Sequence, residues 1–171
     1  TTDVITEGVL ALTEQALAQF QGMRQEEGRF LSADLKSHCQ VVTEELAVIS
    51  GRCDQVIHTY ADRIRKRVNE LLSEAKLKLD EDTLAREVAI LAERADIAEE
   101  LSRLDSHMHQ FTKTCDQSDE PAGRRLDFIA QEMLREANTI ASKAGDADIC
   151  NRVVNIKCRI DRLKEQIQNV E

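Results

Sequence analysis

Apolar side chains recur at spacings of four and three along most of the chain, which gathers them on one face of a helix. The last segment is the most regular. Ile149, Val153, Ile156, Ile160, Leu163, Ile167 and Val170 hold the a and d positions of a sustained heptad. They predict a helix packed along its length, within the chain or between chains. Before it, Leu126, Ile129, Met133, Ala137 and Ile140 give another helix a single apolar face. That helix should start near Pro121 and stop at Gly145, with Asp146 or Asp148 capping the one that follows.

The upstream half carries the same spacing less evenly. Asp3 to about Ser50 reads as one long helix or two in tandem. Leu12, Ala16, Phe20 and Met23 form a first stripe, and Leu31, Leu35, Val42, Leu46 and Ile49 a second. Gly22 and Gly28 lie between them and predict a bend; Gly51 is the stop. A second helix should run from about Asp54 to Leu79 with Val56, Tyr60, Ile64, Val68, Leu71 and Leu72 on one side. Asp80-Glu81-Asp82-Thr83 is a turn and cap, and a third helix is expected from about Thr83 to Thr114. Its core face runs through Leu84, Val88, Leu91, Ala95 and Ala98, then Leu101, Leu104, Met108 and Phe111. Cys115 to Ala122 is the one clear loop.

The predicted fold is therefore all-α: long helical hairpins or a bundle, closed by a heptad-patterned C-terminal helix. Residues 1–79 read as a helical arm and 80–171 as a separate helical domain. Composition agrees, since only 3% of residues are aromatic and Pro121 is the single proline. No run of about 18 apolar residues is present to span a membrane. The amino end lacks a basic leader with an apolar core, so no signal peptide is expected. Five cysteines, Cys39, Cys53, Cys115, Cys150 and Cys158, show no Cys-x-x-Cys spacing. Free thiols in a reducing cytoplasm are the expectation, with Cys150 and Cys158 as small buried residues of the heptad helix.

The net charge of -9 argues against global attraction for phosphates. The charge is uneven, however. Residues 111–171 hold ten Lys and Arg against eleven Asp and Glu, so most of the acidity lies upstream. Arg63, Arg65, Lys66 and Arg67 form a local basic cluster, either a solvated face or a phosphate-contacting patch. There is no glycine-rich phosphate loop and no Gly-x-Ser-x-Gly turn.

Two polar constellations remain. On the helix after Pro121, one stripe carries Arg124, Asp127, Gln131, Asn138 and Ser142 with Arg135 at its edge; another carries Arg125, Glu132, Glu136, Thr139 and Lys143. Glu132 and Glu136 are like charges at i and i+4 with no cation four residues beyond. They want a cation from a metal or from another helix. On the preceding helix Asp96, Glu100, Arg103 and His107 share one ridge. His107 and His109 point apart and are not a two-histidine metal motif.

The run Gly123-Arg124-Arg125-Leu126-Asp127-Phe128, then Gln131-Glu132, Arg135-Glu136-Ala137-Asn138-Thr139 and Ser142-Lys143, resembles the signature of the YicC/YloC family of bacterial endoribonucleases. Glu99-Glu100-Leu101-Ser102-Arg103-Leu104-Asp105-Ser106-His107 and the closing Arg162 to Glu171 agree with it. The likeness is specific from about Leu84 to Glu171. Upstream its best anchor is Met23-Arg24-Gln25-Glu26-Glu27-Gly28. Leu134 departs from the family's pattern, which usually carries a polar residue there.

The resemblance implies the carboxyl-terminal part of a longer protein, hexameric as a whole, that cleaves RNA with Mn²⁺ or Mg²⁺. On that expectation Glu100, His107, Asp127 and Glu132 are the catalytic candidates. Glu100, His107, Glu132 and Glu136 are the metal ligands. Arg103, Arg124, Arg125, Arg135, Asn138 and Lys143 contact RNA, and Gln131 helps position water. Two alternatives stand beside it. One is a helical oligomerisation module whose chemistry lies in a preceding domain. The other is a plain coiled-coil adaptor, against which the Arg, Asn, Gln and Asp of the signature helix count.

Overall fold

A computed structural model describes residues 2–74, 80–116 and 122–168. Among them there are six helices and no strand: α1 (Thr2–Ser50), α2 (Cys53–Glu74), α3 (Glu81–Arg94), α4 (Ala98–Asp116), α5 (Gly123–Lys143) and α6 (Ala147–Ile167). The all-α expectation holds. Asp80 caps α3 by accepting from the Thr83 backbone, and Asp146 caps α6 by accepting from the Asp148 and Ile149 backbones. The heptad positions of α6 from Ile149 to Ile167 are all buried. So are the five apolar positions of the signature helix, α5.

The core is a four-helix bundle. The carboxyl half of α1 packs on α4 and α6, and α5 closes the other side against the same two helices. Leu35, Val42, Leu46 and Ile49 of α1 enter the same core as Leu104, Met108 and Phe111 of α4. Neighbours run antiparallel. Glu45 meets Arg152 at 2.7 Å while His38 approaches Arg159 at 3.5 Å, which fixes the opposed directions of α1 and α6. α2 and α3 pack on each other as a hairpin between α1 and α4. The hairpin leans on the bundle where the Tyr60 ring approaches Gly145, and in the turn ahead of α2 Arg52 pairs with Asp148 at 2.6 Å.

Four expectations need correction. The helix read from Thr83 to Thr114 is two helices. Ala95 closes α3, and the Asp96 carboxylate accepts the Ala98 N–H at 2.8 Å to open α4. Apolar spacing ran unbroken through Ala95 and Ala98 and hid this cap. Second, of the stripe from Leu84 to Ala98 only Leu84 is buried, because among the described residues no third layer covers the rest of the two-helix hairpin. Third, α1 runs unbroken through Gly22 and Gly28. Both glycines face open space, so no packing contact there redirects the chain. Fourth, Cys158 is exposed and Cys150 only half-buried, since neither occupies an a or d position. The expected end of α2 at Leu79 lies outside the described residues.

The amino half of α1 stands apart. Every described side chain from Val4 to Phe30 is exposed, including Ile5, Val9, Leu12, Phe20 and Met23. The predicted stripe exists, but no described residue of this chain covers it. All five thiols are free; burial pushes Cys39 up to about 12 and Cys115 up to about 11. No described helix is long and apolar enough to cross a membrane.

Candidate functional site

The two polar constellations meet where α4 and α5 pack antiparallel. Glu100 and Glu136 are both buried, at 3% and 6% exposure. The Arg103 Nε lies 3.0 Å from Glu136 Oε1, and its terminal nitrogens reach Glu99 at 2.5 Å and Glu100 Oε1 at 3.4 Å. Lys143 Nζ donates to Glu100 Oε1 at 2.8 Å and to the Asp96 carbonyl at 3.3 Å. Two carboxylates and two cations thus interleave across the helix pair. The hydrogen bond to Glu136, ahead of the nearby negative charges, raises the Arg103 pKa above its ordinary value. A network with both carboxylates buried holds two helices in one register, because a slip strands a buried charge without its partner.

One atom is left over. Glu100 Oε2 is buried and has no hydrogen-bond partner among the described residues. A carboxylate oxygen taken from water without a partner costs free energy, and such exceptions are uncommon in folded chains.

The register that joins Arg103 to Glu136 sets His107 and Glu132 one turn further along, on the facing sides of α4 and α5. Both are half-buried. Among the described residues neither forms an ion pair or side-chain hydrogen bond. The cation wanted by the Glu132–Glu136 pair therefore comes from another helix for Glu136 and is unsupplied for Glu132. Asp96 sits ahead of α4 as its cap, so the ridge on the helix itself is Glu100, Arg103 and His107. His109 is exposed and bonds back to the Asp105 carbonyl at 2.9 Å.

The outer face of α5 is open. Arg124, Arg125, Arg135 and Asn138 are exposed, and Gln131 donates to Asp127 at 2.8 Å. A shallow groove of about 430 Å³ runs along Gln131, Leu134, Arg135, Asn138, Thr139 and Ser142. Leu134 packs partly on the core and forms an apolar wall of that groove. Phe128 is 62% exposed on this face; it was not singled out from the sequence, although its place off the α5 apolar stripe was the signal. On α2, Arg63, Arg65, Lys66 and Arg67 are exposed, and among the described residues only Arg67 of these is ion-paired, to Glu70 at 3.3 Å.

Among the described residues, no group of three or more His, Cys, Asp or Glu is gathered closely enough to hold a metal ion. Mg²⁺ commonly takes one or two carboxylates and completes its shell with water and substrate phosphates. Glu132 is an uncommitted carboxylate and His107 an uncommitted imidazole, with Glu100 Oε2 two turns behind on α4.

The sequence family described as endoribonuclease YicC-like, C-terminal, matches residues 49–171. This chain belongs to the YicC family. It is 39% identical over 158 residues to the probable endoribonuclease YicC of Clostridioides difficile, covering 92% of this chain and 53% of that protein. It is 34% identical over 169 residues to the probable endoribonuclease YicC of Haemophilus influenzae, covering 99% of this chain and 57% of that one. The chain thus spans about half the length of these curated YicC relatives. The YicC match takes in α2 to α6 and so includes the whole α4–α5 network.

Proposed function

We propose that the chain carries the RNA-cleaving face of a metal-dependent endoribonuclease, built on α4 and α5. One observation carries the reading. Glu132 and His107 stand uncommitted on facing helices beside an ion-paired network that fixes those helices. The relatives' description as probable endoribonucleases supports RNA as substrate.

The chemistry follows from the groups. Arg124, Arg125 and Arg135 grip phosphate oxygens, with Asn138 adding an amide hydrogen bond. Glu132 accepts the proton of an attacking water, which Asp127 and Gln131 orient. The water oxygen bonds to phosphorus and the bond to the leaving ribose oxygen breaks. His107 gives that oxygen its proton. Mn²⁺ or Mg²⁺, if held by Glu132 and His107 in place of those proton transfers, with Glu136 and Glu100 behind them, would neutralise phosphate charge and acidify bound water. Arg103 and Lys143 hold Glu136 and Glu100 in the resting chain; phosphate arriving at the face competes for the same cations.

The test is cleavage of a structured RNA oligonucleotide by this chain with Mn²⁺ and with EDTA. Cleavage that EDTA stops and that His107→Ala slows at least tenfold supports the reading. Cleavage indifferent to both overturns it.

A second reading has its own observation. The uncovered apolar stripe of α1 suits self-association, and the homo-oligomer, up to a hexamer, would form through it. If the full-length protein cuts RNA and this chain does not, this part is a scaffold and the chemistry lies elsewhere. The endonuclease reading sets the protein in the cytoplasm, beside RNA and reducing agents.

A further inference from the structure

Phe128 stands out by its surroundings. The chain has four Phe, one Tyr and no Trp. Phe111 is buried in the core, Tyr60 lies against Gly145, and Phe20 and Phe30 belong to the α1 arm. Phe128 alone presents an aromatic ring on the bundle's polar face, 62% exposed. The rest of α5 separates cleanly. Leu126, Ile129, Met133, Ala137 and Ile140 are buried, and a ring at position 128 adds nothing to that core.

The neighbours of the ring are set by helical geometry. Arg124 and Arg125 lie one turn before it, Gln131 and Glu132 one turn after, and Arg135 two turns after. The turn before the ring therefore carries two cations, the turn after it carries the uncommitted Glu132, and a third cation, Arg135, follows one turn beyond that. The amide-lined groove of about 430 Å³ begins at Gln131, on the far side of the ring from Arg124. A flat apolar surface bracketed by guanidinium groups and followed by amides matches one chemistry well. Nucleobases stack on aromatic faces while arginines hold the flanking phosphates. A duplex keeps its bases stacked on each other and offers none to such a ring, so the geometry selects an unpaired nucleotide.

We propose that Phe128 is a stacking platform for one unpaired RNA base, one helical turn from Glu132. It sets which phosphodiester reaches the cleaving face and favours single-stranded loops and tails over duplex. The inference rests on the endoribonuclease reading and goes beyond it by naming the base contact.

The test uses the whole chain in EDTA, so that RNA is bound and not cut. Phe128→Trp introduces the chain's only tryptophan. Its fluorescence should be quenched by a single-stranded oligoadenylate. An abasic ribose-phosphate oligomer of equal length and charge should leave it unchanged. Phe128→Ala should weaken oligoadenylate binding about tenfold, within the range for loss of one base stack, and bind the abasic oligomer as the unaltered chain does. Phe128→Tyr should stay within about twofold. Circular dichroism should be unchanged, since the side chain is exposed.

Equal affinity of Phe128→Ala and the unaltered chain for oligoadenylate, with binding lost in Arg124→Gln/Arg135→Gln, overturns this inference and leaves the endoribonuclease reading standing. Equal quenching by the abasic oligomer also overturns it. A change in oligomeric mass confined to Phe128→Ala overturns it by making the ring a contact between chains. No RNA binding by any form removes both readings together.

Discussion

At Glu100 a carboxylate with 4% of its side chain exposed depends on Lys143 and Arg103. Lys143→Met takes away its nearest cation and leaves a buried charge undercompensated. The expected loss is about 2–3 kcal/mol by urea denaturation, below that of a fully buried pair because Lys143 is one-third exposed. Arg162→Gln removes a pair with Glu165 that is about two-thirds exposed and should change stability by less than about 0.5 kcal/mol. The thiols give a pH dependence. Burial raises Cys39 to about 12 and Cys115 to about 11, so the folded chain keeps protons that the unfolded chain releases. Their contribution is fully present below the ordinary thiol pKa near 8.5 and is lost as pH rises towards those values. Urea midpoints between pH 8 and pH 10.5 should fall, and fall less steeply in Cys39→Ala. At this scale the sequence was half legible. The i, i+4 pair Glu132 and Glu136 plainly lacked a cation. That Arg103 would serve Glu136 and leave Glu132 open depends on how α4 and α5 align, which no local pattern encodes.

Periodicity carried the elements whose stripes are buried on both sides. The α6 heptad and the α5 face were readable because every described a, d or face position is buried in the common core. Ile156→Ala should therefore cost about 3 kcal/mol. Asp146→Ala, which removes two backbone acceptor bonds at the start of α6, should cost about 1 kcal/mol. In the α1 arm the same kind of stripe meets no described residue. Leu12→Ala should change the monomer's stability by less than about 0.5 kcal/mol, although Leu12 belongs to an apparently equal pattern. Urea denaturation of the three variants side by side separates these cases. Apolar spacing states that a face wants burial; it does not state whether the partner lies in the same chain. The break at Ala95 to Ile97 escaped for a related reason. Alanines continue any stripe, and Asp96 reads as a ridge residue until its carboxylate is seen capping α4.

Over the whole molecule, a chain of net charge -9 meets a polyanion only through local cations. The exposed arginines of α5 supply them beside Glu132, while Arg103 and Lys143 are tied to buried carboxylates. The family was legible from the polar signature of α5 because its Arg, Asn and Gln residues are not what a plain heptad helix uses. The roles of those residues were less so, since a metal ligand and an ion-paired glutamate look alike in one dimension. The measurement that reaches the central claim most directly is the single-turnover rate of internal RNA cleavage with Mn²⁺ for this chain, Glu132→Gln and Lys164→Gln. A site on α4 and α5 predicts that Glu132→Gln loses at least tenfold in rate at unchanged thermal stability, while Lys164→Gln on α6 cleaves normally. Equal rates in all three would contradict it, because the one uncommitted carboxylate of the α4–α5 face would then have no part in the reaction.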